Sequence, residues 1–250
     1  NSIYTKIVPE FLRTGIIRKL VDKLPDQAQK KGAINMLKRF VQGSCLPEEA
    51  EHLRWQYFSS TQLDELLYTD DFKKAVNRDP FRTLKEYVAR CNATDRVNRE
   101  IYLDSRFMMP DSALMKVDKM SMANSLAVRQ PLLDHSLVEH IAGLPGDWKL
   151  KGWQTKAIFR SALQGILPEH IVYRGKQGYS LPVKNLLREQ LKDYMVDLLN
   201  NSVAIRENMN LDTVNRLIRE HVEMKQNHNH ILWGLVNIAS WHKNVFSRRA

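Results

Sequence analysis

The sequence predicts an all-α protein. Apolar residues recur at helical spacing along most of the chain, while runs alternating with period two are nearly absent. Hydroxyl residues or proline stand where the periodic segments begin, as helix starts require. No internal repeat or low-complexity linker interrupts the pattern. At 250 residues the chain can bury one good core or two small ones. Hydrophobic content of 43% with 26% charged residues is ordinary for a soluble globular protein. The reading is a single helical domain, with an N-terminal helical arm over about residues 1–48 and a core over 49–250.

Taken in order, the first 45 residues mix Pro, Gly and short amphipathic turns ("TGIIRKLVDKLPDQAQK"). They read as helices packing onto the next module, or as a loosely held arm. "STQLDELLYTDDFKKAV" opens on hydroxyl residues and sets Leu63, Leu66 and Leu67 at helical spacing. Pro80 signals the next start, and Phe81, Leu84 and Val88 form one stripe. Pro110 and Asp111 open a helix whose stripe holds Leu114, Met115, Asp118 and Met122. Asp134 or Ser136 caps the helix in "LVEHIAGL", which ends over Gly143 to Gly146. Thr155 opens a helix with Lys156 and Arg160 on one face, and Gly165 and Pro168 break it. Leu211, Val214, Leu217, Ile218 and Val222 repeat the theme, and "HILWGLVNIASWHKNVF" is apolar on most sides.

The apolar run from Ile231 to Trp241 is too short to span a bilayer. The opening "NSIYTKIVPEF" shows neither a signal-peptide pattern nor an initiator Met. That points to a processed chain or an excised fragment, in the cytoplasm. Cys45 and Cys91 are the only cysteines, which excludes a disulfide framework. His228 and His230 stand two residues apart and so point away from each other on a helix. With His221 before them they read as a polar cap or surface, and no metal site is expected.

Net charge is +10, unevenly spread. From Lys149 to Arg188 eight cations face Glu169 alone, so this segment carries +7. Such a patch is either a solvated face or a surface for polyanions, including the phosphates of a nucleotide. Within it, "VYRGKQGYSLP" (residues 172–182) places Arg174, Lys176 and two glycines in one connector. Together with Lys156 and Arg160, these cations can converge on one anion. A lysine ammonium follows phosphate oxygens as they rearrange. Asp118 lies on a face carrying apolar residues, where a carboxylate is costly to bury unpaired. Arg129 is the candidate partner, as a structural ion pair or as an orienting pair for a site.

At these residues the chain resembles a known family. "PDSALMKVDKMSMANSLAVRQPLLDH" is similar to P-D-x-L-x-K-x-D-x-x-S-M-x-x-S-L-E-x-R-x-P-x-L-D. "TKAIFRSAL", the following Leu-Pro, Arg174 and "KQGYSLP" resemble G-K-x-x-L-R, L-P and R-x-K-x-G-F-x-x-P. "HNHILWGLVNIASWHKN", with Leu232, Trp233 and Trp241, is similar to the ending of the same family. That family is the C-terminal synthetase domain of glutamine-dependent asparagine synthetases and the related β-lactam synthetases. The resemblance runs from about residue 50 to 245. Ala127, Gln130 and Tyr179 depart from it, the first where the family usually carries Glu.

The resemblance implies the helical C-terminal portion of an adenine-nucleotide-hydrolase-like synthetase domain. This chain contains neither S-G-G-x-D-S, nor S-G-x-G-x-D-E, nor the N-terminal cysteine of the glutaminase half. What it implies for the parent is an ATP-dependent ligase using aspartate, ATP and glutamine-derived ammonia, with Mg2+. Lys176 takes the catalytic role, and Lys156, Arg160, Arg174 and Gly178 the nucleotide and pyrophosphate side. Gly175 and Gly178 would let the loop close, while Asp118, Arg129 and Asp134 support the site. The fragment alone is expected to be inactive and to hold no cofactor tightly. A homodimer is compatible with the resemblance. The alternatives are a family member acting on another carboxylate, or a basic helical module binding a partner protein or nucleic acid. No base-reading motif or aromatic platform supports nucleic acid, and no membrane partner is expected.

Overall fold

The computed structural model describes residues 4, 7–24, 32–46, 50, 53, 59–77, 79–175 and 181–246. It is helical nearly throughout, as its period-3.6 patterning requires. A π-helical turn at Leu12–Ile17 leads into α1 (Arg18–Asp22), followed by α2 (Ala33–Ser44), α3 (Thr61–Leu67) and α4 (Asp70–Ala75). Then come α5 (Arg82–Arg90), α6 (Arg96–Arg106), a π-helical stretch at Met109–Leu114 and α7 (Met115–Met122). A 3-10 turn at Pro131–Leu133 precedes α8 (His135–Ala142) and α9 (Gly146–Lys149). A small hairpin, β1 (Leu150–Lys151) with β2 (Gln154–Thr155), is followed by α10 (Ala157–Ala162) and α11 (Glu169–Val172). The remaining helices are α12 (Val183–Leu186), α13 (Lys192–Asn201), α14 (Val203–Asn208), α15 (Leu211–Val222) and α16 (Asn229–Trp241).

The chain divides into two compact units, one formed by Asn1–Pro80 with Tyr179–Ala250 and the other by Phe81–Gly178. The first has the larger core. Met195, Leu199, Ile205, Val214, Leu217 and Leu232 are fully or almost fully buried there. They come from α13 to α16, whose apolar stripes meet with Leu67 and Leu187. Helix α16 buries Leu232, Leu235, Val236 and Ala239 but leaves Trp233, Ile238 and Trp241 more than a third exposed. It buries one face, and not most sides as its composition suggests.

Caps fix where these helices start. Ser60 accepts from the Leu63 amide at 3.2 Å, Thr69 from Phe72 at 3.3 Å and Asn210 from Thr213 at 3.0 Å. The α3–α4 junction is bonded to the α14–α15 junction. The Asn210 amide donates to the Leu67 carbonyl at 2.7 Å and Thr69 to that of Asn208 at 3.0 Å. The Thr213 hydroxyl adds a bond to the Leu66 carbonyl at 2.9 Å. In the same unit α1 lies against α2, with Val21 and Val41 buried.

The second unit is held by a polar staple. Asp95 caps α6 by accepting from the Asn98 amide at 2.9 Å. Asn98 Nδ2 donates to the Leu144 carbonyl at 2.9 Å, while its Oδ1 accepts from the Lys149 ammonium. Lys149 is buried, and burial lowers its pKa while Asp95 opposes the shift. Gly146 sits so close to Asp95 that no side chain fits there. Apolar burial is thinner. Leu84 and Leu103 are inside, whereas α7 and α8 bury no residue.

Among the described residues no helix is long and apolar enough to cross a membrane.

Candidate functional site

The Phe81–Gly178 unit carries every candidate site residue. Gly152, at φ +59°, turns the hairpin, and the chain leaves β2 directly into Lys156. Thr155 is the last residue of β2, so it does not open the helix as its position suggests. The N-terminal boundary is Lys156 itself, at φ 58°, ψ 35°, with no side-chain cap. Two-residue strands are too short to leave a period-2 signal, so the sequence hides this hairpin. A left-handed conformation costs a non-glycine residue about 1 kcal/mol or more. Strain of this kind concentrates at functional sites. Here it holds an exposed lysine at the mouth of α10.

One turn on, half-buried Arg160 lies with its guanidinium 6.0 Å from the centre of the Tyr173 ring. Gln164 Nε2 donates to the Tyr173 hydroxyl at 2.5 Å. Gly165, at φ +76°, makes the reversal that returns the chain to α11. Tyr173 thereby links α10 to the residue beside it, Arg174, which is exposed. The side chains of Lys156 and Arg174 have no ion-pair or hydrogen-bond partner among the described residues. Arg160 and Arg174 are thus brought to one end of the α10–α11 pair through Tyr173. At Gly175 an added Cβ would meet nothing within 4 Å, so its lack of a side chain is not needed for space. Lys176 and Gly178 lie outside the described residues.

Asp118 and Arg129 are not brought together. Both are exposed, and among the described residues no ion pair joins them. The expected pairing rested on burial of the α7 stripe, and α7 buries none of its residues. With both charges in water nothing forces them to pair. Asp134 caps α8, accepting from the Ser136 and Leu137 amides at 3.1 and 3.3 Å.

The basic segment is not one solvated face. Lys149 is turned inward to Asn98, and Arg188 Nε donates to the His221 carbonyl at 2.8 Å. His221 and His228, expected at a polar cap or surface, are both buried, His221 fully. Its signal was present: His221 follows Val214, Leu217 and Ile218 at intervals of seven, four and three, on their buried stripe.

A donor set of lysine and arginine suits phosphate oxygens. It does not suit Mg2+, which takes oxygen ligands, carboxylates above all. Among the described residues no group of three or more His, Cys, Asp or Glu side chains could hold a metal.

Fold and site together define a helical module with exposed cations at Lys156 and Arg174. The chain matches the asparagine synthase family over residues 10–243, and it belongs to that family. It is 28% identical over 165 residues to asparagine synthetase [glutamine-hydrolyzing] 1 of Bacillus subtilis, covering 66% of this chain and 26% of that protein. A putative asparagine synthetase [glutamine-hydrolyzing] of Mycobacterium tuberculosis is 28% identical over 238 residues, 94% of this chain and 34% of its own. Asparagine synthetase [glutamine-hydrolyzing] 3 of Bacillus subtilis is 34% identical over 137 residues, 49% of this chain and 21% of its own. In these alignments the chain spans between about a fifth and a third of its relatives' length. No solved structure matches it.

Proposed function

We propose that this chain is the helical part of an ATP-dependent, glutamine-hydrolysing amide ligase whose acceptor is the side-chain carboxylate of aspartate. The supporting observation is that Lys156, held at φ 58° where α10 starts, and Arg160, set against the Tyr173 ring beside Arg174, all lie within the span matched to the family. In this reading the carboxylate attacks the α-phosphorus of ATP, giving an acyl-adenylate and releasing pyrophosphate. Ammonia from glutamine then adds to the acyl carbon and AMP leaves with the bonding pair, forming the amide.

Negative charge builds on the pyrophosphate in the first step and on the tetrahedral oxygen in the second. Fixed cations facing those oxygens lower both barriers, by roughly 3–4 kcal/mol for one well-placed donor in a dry site. Lys156 and Lys176 are the proposed phosphate-side and catalytic lysines. Arg160 is tied to Tyr173 and supports the entry to the loop, and Arg174 stands at that entry. Among the described residues no cluster of carboxylates able to hold Mg2+ is present, so no step is assigned to the metal. Positioning dominates phosphoryl chemistry, and this chain by itself is proposed to be inactive.

The test is aspartate-dependent exchange of labelled pyrophosphate into ATP, on the 250-residue chain and on the same gene read further upstream. Exchange is expected only in the longer protein. Lys176→Ala and Lys156→Ala should each lower it by at least about 100-fold. A longer protein that exchanges with another carboxylate and ignores aspartate would keep the reaction class and overturn the substrate.

A further inference from the structure

One cation of the Phe81–Gly178 unit is buried, Lys149, and the proposed reaction gives it no part. Its ammonium donates to Asn98 Oδ1 and, at 3.4 Å, to the Ala142 carbonyl. The acceptor is held in one orientation by its own bonds. Asn98 Nδ2 gives one hydrogen to Asp95 Oδ2 at 2.7 Å and the other to the Leu144 carbonyl at 2.9 Å. Both donors are then used, and Oδ1 is the atom left to accept from Lys149. Lys149 is thereby tied to the start of α6 and to the end of α8.

The burial pattern shows what depends on that tie. From Asp104 to Ile171 the only buried residues are Gly146 and Lys149. Both strands of the hairpin are exposed, and α10 buries none of its residues. Helix α9 is a single turn, too short to hold its own position. Lys149 is its last residue, and the next one, Leu150, pairs with Thr155 across the hairpin. Thr155 is bonded directly to Lys156. Every link from Asn98 to Lys156 is thus a covalent bond or a backbone or side-chain hydrogen bond within one unit.

We infer that Lys149 is a positioning residue for Lys156 in the proposed ligase reaction, its buried ammonium anchoring the base of the hairpin that carries Lys156. The inference rests on the phosphate-side role proposed for Lys156. A misplacement of about 1 Å can cost roughly 100-fold in rate, so the anchor of an otherwise exposed hairpin acts on kcat.

The experiment is a double-mutant cycle in the full-length gene product, with wild type, Lys149→Met, Lys156→Ala and the double variant. Methionine keeps the apolar stem of Lys149 and removes its donors. Pyrophosphate-exchange kinetics and amide hydrogen exchange are measured on all four. Lys149→Met alone should lower kcat by about tenfold or more, with KM for aspartate within about twofold of wild type. On top of Lys156→Ala it should cost less than about twofold, because the group it positions is gone. Amides over Leu150–Arg160 should lose protection by about tenfold, including that of Arg160, which donates to the Lys156 carbonyl at 2.9 Å, with α13 and α16 unchanged.

Full kcat in a folded Lys149→Met protein overturns the inference, as does unchanged protection over the hairpin. An equal loss from Lys149→Met with and without Lys156 also overturns it, since a general weakening of the fold would act on both backgrounds alike. If Lys149→Met does not fold, Asn98→Ala removes the same bond from the other side and must show the same dependence on Lys156. A wild-type protein without any exchange refutes the ligase reading and the positioning role together. Independent losses in a wild type that does exchange refute the positioning role alone.

Discussion

At Lys156 the backbone adopts a conformation that L-residues avoid, at the point where a hairpin becomes a helix. Lys156→Gly should therefore relieve strain and raise stability by up to about 1 kcal/mol. The same change removes the exposed ammonium and should lower pyrophosphate exchange sharply. Thermal melting beside the exchange assay checks both, and a variant less stable than wild type would remove the strain argument. His221 supplies a pH prediction. Burial, then the nearby Arg188, pushes its ring down to about 4 from 6.5, against the pull of the Lys184 carbonyl. An unfolded chain takes up that proton near pH 6.5, so between the two values it binds more protons than the folded one. The ring's contribution is fully present above about pH 6.5 and is lost as pH falls toward 4. It amounts to at most about 3 kcal/mol, less where water screens the ring. Urea midpoints from pH 4 to 7 should rise more steeply for wild type than for His221→Gln.

Helices α6 and α9 are joined by Asp95, Asn98, Lys149 and Gly146 rather than by a broad apolar seam. A methyl group at Gly146 would collide with Asp95 Oδ1 and come within 2.9 Å of Val97 Cβ. Gly146→Ala should thus break the α6 cap as well as crowd the junction, costing about 1–3 kcal/mol in a denaturation midpoint. Asn98→Ala leaves the buried Lys149 ammonium without its side-chain acceptor and should cost a similar amount. An unchanged midpoint in either variant would show that the staple contributes nothing net.

Across the whole molecule, burial is unequal. The unit containing α13 to α16 encloses a continuous core, whereas α7 and the segment after it expose Met115, Met120, Met122, Leu126 and Leu132. Apolar surface of this kind binds hydrophobic dyes and promotes association. The 250-residue chain is expected to enhance the fluorescence of an anilinonaphthalene dye while retaining its helical circular dichroism. Paired Met120→Gln and Leu126→Gln should reduce that signal without unfolding. A signal that does not respond to these changes would place the dye elsewhere.

The helices, most of their starting residues and the family motifs were legible in the sequence because they depend on neighbours within one or two turns, Thr155 being an exception because it ends a hairpin strand. Val214, Leu217 and Ile218 announce the buried stripe of α15 from local spacing alone, and of the two cap candidates, Asp134 and Ser136, the structure uses Asp134. Charge, in contrast, could be counted but not placed. Lys149 and Arg188 read as members of one basic patch, yet each is committed to a partner distant in sequence. Lys149 meets Asn98 across 51 residues and Arg188 meets His221 across 33. Asp118 read as a residue needing a partner, and it stays in water because α7 is not covered in this chain. Whether a polar side chain is buried, paired or solvated depends on which remote segments close over it. Only the tertiary structure decided that for His221, Lys149 and Asp118, while periodicity and capping had already determined the helices that carry them.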